Sequence, residues 1–203
     1  MERLYNMREM IKMIVVLTVL SVFSGGLLAA VRNGTKDKIE NQQLQFVKGP
    51  AISAILEGAS NNPISDRFKL KDAETERSFF VGVFNGEPNA VAFESFGKGF
   101  GGELGVMIGV NTKDDKIIGV SITTHSETPG VGSRAKSDPA FAAQFKGVSL
   151  AEEYKVKSDG GQVDAVSGAT VTSRAVSAAL TDASKMYKRM KPQLAEKLKS
   201  FTK

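Results

Sequence analysis

The sequence of 203 residues contains no cysteine, no tryptophan and a single histidine, His125. Without cysteine, the chain cannot form a disulfide, a thiolate nucleophile or a Cys-ligated zinc or iron–sulfur site. One histidine cannot supply a site built from several histidines. These absences exclude cysteine chemistry and multi-histidine metal sites. We predict no metal-ligating and no catalytic residues in this chain.

The composition is that of a folded protein with a basic balance. Hydrophobic residues make up 41% of the chain and charged residues 24%, and the formal net charge is +5. The densest basic runs lie near the C-terminus, in 185–191 and 197–203. Such runs suit anionic lipid or an acidic partner, but they are more typical of a solvated helix end. We predict no nucleic-acid partner.

The N-terminal region contains a long apolar run. Residues 13–31 carry no charge and are flanked by Lys12 and Arg32. As a helix this run would span about 28 Å, close to the hydrocarbon thickness of a bilayer. A cleaved signal peptide is the alternative, but the run is longer than a usual signal core and no Ala-x-Ala cleavage site follows it. We predict an uncleaved single-pass anchor, whose orientation the balanced flanking charges do not decide.

The body of the chain predicts an antiparallel sheet of at least four strands. The apolar run 79–84 ends at Asn85-Gly86, a hairpin turn signal. Branched or aromatic apolar residues recur at every second position within 91–95, 104–110 and 118–123. Successive hairpins of this kind form antiparallel sheets.

Helices flank this set of strands. Residues 35–57 have helix-like spacing and predict a stalk that continues the membrane span. Asp138-Pro139 predicts the start of a short helix. Residues 168–190 predict a long terminal helix with one apolar stripe, which Pro192 ends or kinks. Strands followed by helices indicate an α+β fold.

Two glycine-containing segments lie among the strands. Gly97, Gly99 and Gly102 satisfy the pattern G-x-G-x-x-G, but a strand follows where a dinucleotide site needs a helix. We interpret this segment as a bulge or a close backbone approach. The segment H-S-E-T-P-G-V-G, which begins at His125, is on its residues alone a plain connection from a strand to a helix. Within it, Glu127 either orients a ligand or bonds the turn's own backbone amides.

The segment D-A-V-S-G-A-T-V-T-S leads into the terminal helix. Thr170 falls in the first turn of that helix, where unpaired N–H groups and the helix dipole favour an anion such as phosphate. Ser167 is the predicted N-cap, and Gly168 and Ala169 leave the backbone uncrowded. From the spacing alone, a plain Ser-capped helix is the favoured interpretation. A hydroxyl nucleophile is a third, which would need His125 as its base.

These segments resemble a known family. D-A-V-S-G-A-T is similar to the flavinylation motif of the FMN-binding domain family. The segments K-G-F-G-G-E-L, E-T-P-G-V-G and S-G-A-T-V-T-S occur in the order seen in the G-type subunit of Rnf electron-transport complexes, which also has one N-terminal span. The C-type subunit of the sodium-pumping NADH:quinone reductase is the nearest alternative. Val131 stands where that family pattern has leucine.

The resemblance implies a covalent cofactor, FMN joined by a phosphoester bond to Thr170. It also implies that an FMN transferase, with FAD as donor, reads the motif, and that the flavin domain lies on the outer, periplasmic side of the inner membrane. The residues alone do not distinguish Thr170 from Thr172 as the bonded hydroxyl. The cofactor-binding residues that the resemblance implies are Thr170, Ser167, Gly168, Ala169, Asp164, Glu127, Thr128, Pro129 and Gly130.

The implied function is that of a membrane-anchored redox subunit. It would carry electrons within an Rnf-type complex that couples transfer between ferredoxin and NAD to Na⁺ or H⁺ translocation, and would not be a complete enzyme alone. Its partners would be the other subunits of that complex. The residues alone also allow an anchored binding or assembly module without redox activity. We expect a tail and anchor in 1–34, a stalk or linker in 35–75, the FMN-binding domain in 76–192 and a basic tail in 193–203.

Overall fold

The computed structural model describes residues 2–72 and 75–201. Residue 1 of the predicted tail, residues 73–74 at the end of the predicted linker and residues 202–203 of the predicted basic tail lie outside the described residues. The chain divides into two compact units, one up to Gln43 and one from Leu44 onward.

The first unit is a single long helix, α1 (Glu2–Gln43). Within it, Met7–Lys36 is long and apolar enough to cross a bilayer. Its apolar side chains are exposed all around the helix, as Leu17, Phe23 and Leu28 illustrate. A helix that is apolar on every side is typical of a membrane span. The predicted apolar N-terminal helix is confirmed, and it fits a single-pass membrane anchor.

The second unit is built on one antiparallel sheet. Its five strands lie side by side in chain order, so the predicted antiparallel sheet of at least four strands is confirmed. A π-helical turn (Leu44–Lys48) and α2 (Gly49–Ile55) precede the sheet. The strands are β1 (Arg67–Asp72), β2 (Thr75–Phe84), β3 (Glu87–Lys98), β4 (Glu103–Asn111) and β5 (Lys116–Ile122).

The hairpin between β2 and β3 follows directly from its two turn residues. Asn85 has φ 55° and Gly86 has φ 79°. Two consecutive residues of positive φ make the turn whose twist matches antiparallel strands, and Asn-Gly is the pair that adopts it most readily. The predicted hairpin is therefore confirmed at this position.

Both faces of the sheet are covered. On one face Phe79, Phe93 and Ile108 contribute to the large core that also contains the inner stripe of the terminal helix. On the other face Phe80 and Met107 pack in a smaller cluster with α2, where Ile52 is fully buried. Burial on both faces explains why the central strands are nearly continuously apolar.

Short helices connect the sheet to the terminal helix. They are α3 (Arg134–Ser137), α4 (Pro139–Ala143) and a 3₁₀ turn (Lys157–Asp159). The start of α4 is as predicted, because the Asp138 side chain accepts a 3.0 Å hydrogen bond from the N–H of Ala140 and Pro139 holds the first helical position. The rings of Phe141 and Phe145 lie edge to face, with their centroids 5.6 Å apart.

The terminal helix, α5 (Thr170–Lys199), differs from its prediction at both ends. Ser167 is not its N-cap. Ala169 occupies that position and no side chain caps it. At the other end, Pro192 lies inside the helix, which continues to Lys199. Leu194 and Leu198 are buried beyond the proline, and their burial offsets the lost backbone hydrogen bond.

Candidate functional site

Glu127 connects three segments that are distant in the sequence. Its Oε1 accepts a 2.9 Å hydrogen bond from the N–H of Gly101, in the loop between β3 and β4. Its Oε2 accepts a 2.5 Å hydrogen bond from the hydroxyl of Thr172, in the first turn of α5. The residue is only 6% exposed. Glu127 therefore bonds a backbone amide of a different loop, and not an amide of its own turn as one sequence interpretation proposed.

His125 takes part in the same turn. Its Nδ1 accepts a 3.3 Å hydrogen bond from the backbone N–H of Glu127. The imidazole therefore orders the backbone beside the carboxylate. Its described contact is structural and is not a contact with the hydroxyl of Thr170.

The glycines of the G-x-G-x-x-G segment permit close backbone contacts. A Cβ on Gly97 would lie 2.0 Å from the carbonyl oxygen of Ala175 in α5. A Cβ on Gly101 would lie 1.9 Å from the carbonyl oxygen of Ser126. Both distances are far below van der Waals contact, so only glycine fits at either position. The interpretation as a close backbone approach is confirmed, and this loop packs directly against α5 and the turn after β5.

The N-terminus of α5 carries free hydrogen-bond donors. Among the described hydrogen bonds, none is donated by the N–H groups of Thr170, Val171 and Thr172. The first paired N–H is that of Ser173, which donates 3.0 Å to the carbonyl of Ala169. Unpaired N–H groups at a helix start, together with the helix dipole, attract an anion.

The two threonines of this turn differ in the state of their hydroxyls. Thr172 is 2% exposed, and its hydroxyl is committed to Glu127. Thr170, at the first helical position, is half-buried, and none of the described side-chain hydrogen bonds uses its hydroxyl. Of the two, only Thr170 has a hydroxyl that a second molecule can reach.

An open groove of about 370 Å³ lies over this helix start. Three large apolar side chains at the groove are unusually exposed for their type: Phe100 at 77%, Val131 at 43% and Val171 at 44%. The buried Glu127 and the half-buried Thr170 lie at the same groove. Its lining consists of Phe100, Glu127, Thr128, Val131, Gly132, Gly168, Ala169, Thr170, Val171 and Thr172.

The groove brings together some of the predicted cofactor residues and leaves others outside. Glu127, Thr128, Gly168, Ala169 and Thr170 line it. The others do not belong to the lining: Pro129, Gly130, Asp164 and Ser167. Phe100, Gly132 and Val171 lie in the segments that carry the family resemblance, but they were not predicted to bind the cofactor. An aromatic residue between glycines in a loop is a signal that could have identified Phe100.

Two of the residues outside the groove, Gly130 and Asp164, have described structural partners. The N–H of Gly130 donates 2.9 Å to the hydroxyl of Ser133, which closes the turn after β5. The carboxylate of Asp164 pairs with Lys157 at 2.7 Å and remains largely exposed. Asp164 and Ser167 therefore lie on the outer surface of the segment that leads to Thr170.

A second ion pair holds the 3₁₀ turn against α5. Arg174 donates two hydrogen bonds of 2.7 Å to the carboxylate of Asp159. The side-chain hydrogen bond from Arg174 lowers the pKa of Asp159 below its usual value, and the positive charge of Arg174 acts in the same direction. The pair joins the 3₁₀ turn, which precedes residues 164–170, to α5, which follows them. Within the described part of the chain, no group of three or more acidic or histidine side chains is arranged to hold a metal ion.

Comparisons with known proteins agree with this geometry. The family model of the FMN-binding domain matches residues 99–185, which include Glu127 and the start of α5. The chain is 33% identical over 172 residues to the G-type subunit of the ion-translocating oxidoreductase complex of Vibrio atlanticus, covering 79% of this chain and 82% of that relative. It is 31% identical over 188 residues to the protein of the same name from Shewanella baltica, covering 86% and 87%.

A solved structure has a related fold. NqrC of Shewanella oneidensis has a TM-score of 0.51 and 25% identity, over 68% of this chain and 72% of that chain. The resemblance inferred from the three glycine- and hydroxyl-rich segments is confirmed by these comparisons. The chain contains an FMN-binding domain and belongs to the family of G-type subunits of the ion-translocating oxidoreductase complex.

Proposed function

We propose that this chain is a membrane-anchored electron-transfer subunit that carries FMN on Thr170 through a phosphoester bond. In this proposal it works within a complex that couples electron transfer between ferredoxin and NAD to the movement of Na⁺ or H⁺. The observation that carries the proposal is the position of Thr170: a half-buried hydroxyl at the first residue of α5, within a groove of the FMN-binding domain.

The helix start supports a phosphate at this position. A phosphodiester on Thr170 keeps one negative charge beside the unpaired N–H groups of Thr170, Val171 and Thr172. The helix dipole favours that charge by roughly 0.3–1 kcal/mol at a partly exposed site. Because the bond is covalent, the groove need not supply all the affinity that a free cofactor would require.

The apolar lip of the groove supports a flat ring beside the phosphate. Phe100, Val131 and Val171 would otherwise expose their side chains to water, and exposed apolar patches mark ligand or partner sites. The groove volume of about 370 Å³ lies within the range of roughly 300–1,000 Å³ typical of ligand sites. These three side chains would contact the isoalloxazine ring and exclude water from part of it. The short side chain of Val131 leaves room for that contact.

The attachment reaction consumes FAD. The oxygen of the Thr170 hydroxyl forms a bond to the phosphorus next to the riboflavin moiety, and the phosphoanhydride bond of FAD breaks. AMP leaves, and the hydroxyl proton is released to a base of the FMN transferase. The chain itself needs no catalytic base for this step, since the transferase supplies it. When bound, FMN supplies the electron-accepting and electron-donating chemistry, and the chain binds and orients it.

The remaining predicted contacts are part of the same proposal. The carboxylate of Glu127 orders the groove wall through Gly101 and Thr172. Gly168 and Ala169 leave the approach to Thr170 open, and Thr128 borders the groove. Pro129 and Gly130 shape the turn that carries Glu127, while Asp164 and Ser167 form the surface that the transferase reads.

The anchor defines where the flavin works. In this proposal Met7–Lys36 crosses the inner membrane once, and the unit from Leu44 onward lies on its outer, periplasmic face. The partners are the other subunits of the complex, which deliver and receive electrons. The domain boundaries expected from the sequence, 1–34, 35–75, 76–192 and 193–203, stay a proposal. In the structure α2 and β1 of the expected linker pack with the sheet, and α5 continues to Lys199 within the expected tail.

A second candidate is the corresponding subunit of a sodium-pumping quinone reductase. The fold of NqrC from Shewanella oneidensis favours it. The matches to the G-type relatives extend over more of the chain, 79% and 86% against 68%, so we assign this protein to the ion-translocating oxidoreductase complex. In both candidates the flavin site is the same.

The test is flavin attachment in the full-length chain. We expect the chain produced together with an FMN transferase to remain fluorescent after denaturing electrophoresis, and Thr170→Val to be dark. Thr172→Val is the matched control, and it should keep the fluorescence. A colourless wild-type chain would support the alternative of an anchored binding module. A fluorescent Thr170→Val variant would reject Thr170 as the attachment site.

A further inference from the structure

We propose that Gln144 is a positioning residue for flavin attachment: its side-chain amide holds the backbone of the segment 164–170 in the shape that the FMN transferase reads. This inference rests on the proposed attachment to Thr170. Gln144 lies more than twenty residues before Thr170 in the sequence, outside the groove, and no feature of the motif points to it.

The amide of Gln144 pairs with both backbone groups of Asp164. Its Oε1 accepts a 2.8 Å hydrogen bond from the N–H of Asp164. Its Nε2 donates a 3.2 Å hydrogen bond to the carbonyl of the same residue. A neighbouring β-strand would make the same two bonds. The side chain therefore fixes the first residue of the segment without any strand beside it.

The position of this amide is itself fixed. Nε2 also donates a 2.9 Å hydrogen bond to the carbonyl of Phe141, one turn earlier. Phe141 and Phe145, on either side of Gln144, are 5% and 1% exposed and pack in the large core. Because the backbone around Gln144 is anchored, its side chain reaches Asp164 from a rigid base.

The other end of the segment is held by a buried hydroxyl. The Oγ of Ser173 accepts a 3.0 Å hydrogen bond from the N–H of Val166 and donates a 3.0 Å hydrogen bond to the carbonyl of Ala169. Ser173 is fully buried. Ser167 and Gly168, between these supports, are exposed, and Gly168 turns the chain with φ 77°.

The backbone of the segment 164–170 is thus held by hydrogen bonds to Gln144 and Ser173, while several of its side chains face solvent. The carboxylate of Asp164, the side chain of Ser167 and the hydroxyl of Thr170 are available to a modifying enzyme in one conformation. A segment that is already ordered loses less conformational entropy when the enzyme binds it. It also presents the attacking oxygen in a fixed direction. The folded domain would therefore present the motif to the transferase in a conformation that is already ordered.

The experiment measures flavin transfer from FAD to the purified full-length apoprotein in detergent. Gln144→Ala removes both bonds to Asp164 and should lower kcat/KM at least roughly tenfold, the effect of about one lost hydrogen bond. Gln144→Asn keeps the amide but is too short to reach, and it should behave like the alanine variant. Gln162→Ala is the matched control, because Gln162 also bonds a backbone carbonyl, that of Glu153, outside the segment. It should react like wild type.

Two further measurements separate positioning from stability. The amide proton of Asp164 should exchange faster in Gln144→Ala than in Gln162→Ala, while exchange in the middle of α5 stays unchanged. Once loaded, Gln144→Ala should have the absorption spectrum of the wild type, because Gln144 does not line the groove. If Gln144→Ala melts well below wild type, Gln144→Asn decides the question at a temperature where it is fully folded.

The outcomes are distinct. Wild-type transfer rates in both Gln144 variants would overturn this inference and leave the attachment to Thr170 standing. A wild-type chain that takes no flavin from an active transferase would overturn the proposed function and this inference with it. A synthetic peptide of residues 158–174 that reacts as fast as the folded chain would also overturn the inference.

Discussion

The hydroxyl of Thr172 donates a 2.5 Å hydrogen bond to the buried carboxylate of Glu127, across 45 residues of sequence. The second oxygen of that carboxylate holds Gly101, so one side chain joins the glycine loop, the turn after β5 and the start of α5. The contact also separates two neighbouring threonines by role. Thr172 supports the groove wall, and Thr170 is left with a hydroxyl that can react.

Replacing Thr172 tests this division. Thr172→Val removes the donor to Glu127 and should lower the free energy of unfolding by about 1–3 kcal/mol, because a buried acceptor loses a partner. Covalent flavin should remain on Thr170. Thr172→Ser keeps the donor and should be much closer to wild type in stability. Urea unfolding followed by circular dichroism measures both. Loss of the flavin from a folded Thr172→Val protein would contradict the assignment.

Glu127 should be more important for stability than for the covalent bond. Glu127→Ala leaves the N–H of Gly101 and the hydroxyl of Thr172 without their acceptor, and we expect a loss of roughly 2–5 kcal/mol from two broken buried hydrogen bonds. Glu127→Gln keeps one acceptor oxygen in nearly the same shape and should lose less. The same unfolding measurement distinguishes them. Equal stability of the alanine and glutamine variants would show that the carboxylate does not hold the loop.

Gly97 should tolerate no side chain. In Gly97→Ala the new Cβ would meet the Ala175 carbonyl at 2.0 Å, and separating β3 from α5 should destabilise the domain by about 1–3 kcal/mol or more. Gly119→Ala is the matched control in the same sheet, because the nearest atom to its Cβ is 3.5 Å away on Ile55. Thermal unfolding of the two variants compares them directly. A Gly97→Ala protein as stable as Gly119→Ala would mean that the backbone contact is looser than described.

The ion pair between β1 and α5 predicts a pH dependence. Arg189 donates a 2.7 Å hydrogen bond to Asp72, and this bond, aided by the charges of Arg189 and Arg77, lowers the pKa of Asp72 although burial opposes it. A lowered folded-state pKa gives stability that is present above the unfolded-state pKa and is lost as the pH falls through the folded-state value. The stability advantage of wild type over Asp72→Asn should therefore shrink below about pH 4. An advantage that stays constant during acidification would exclude this contribution.

Local features of the fold could be predicted from the sequence because neighbouring residues determine them. The Asn85-Gly86 turn and the Asp138-Pro139 helix start need only a few adjacent residues, and both predictions are confirmed. The strand β1 was not predicted, because it has only two apolar residues, Phe68 and Leu70, among charged ones. Its extended conformation depends on pairing with β2. At Pro192, burial of later leucines overrode a local helix-breaking signal.

The site was predictable only in part, for the same reason. Thr170 and Glu127 lie in segments that the family resemblance marked as cofactor-binding, and the groove contains both. Ser167 failed as an N-cap because the chain turns at Gly168 and the helix begins later. The exposure of Phe100 and the reach of Gln144 to Asp164 depend on how distant segments pack. Such contacts cannot be predicted from a local sequence pattern.

The most direct test is the mass of one tryptic peptide from the protein isolated from its native membrane. Cleavage after Lys157 and Arg174 releases residues 158–174, which contain both Thr170 and Thr172. We predict that this peptide is heavier by FMN less one water, and that fragmentation locates the addition on Thr170. A peptide of unmodified mass, or an addition on Thr172, would contradict the account.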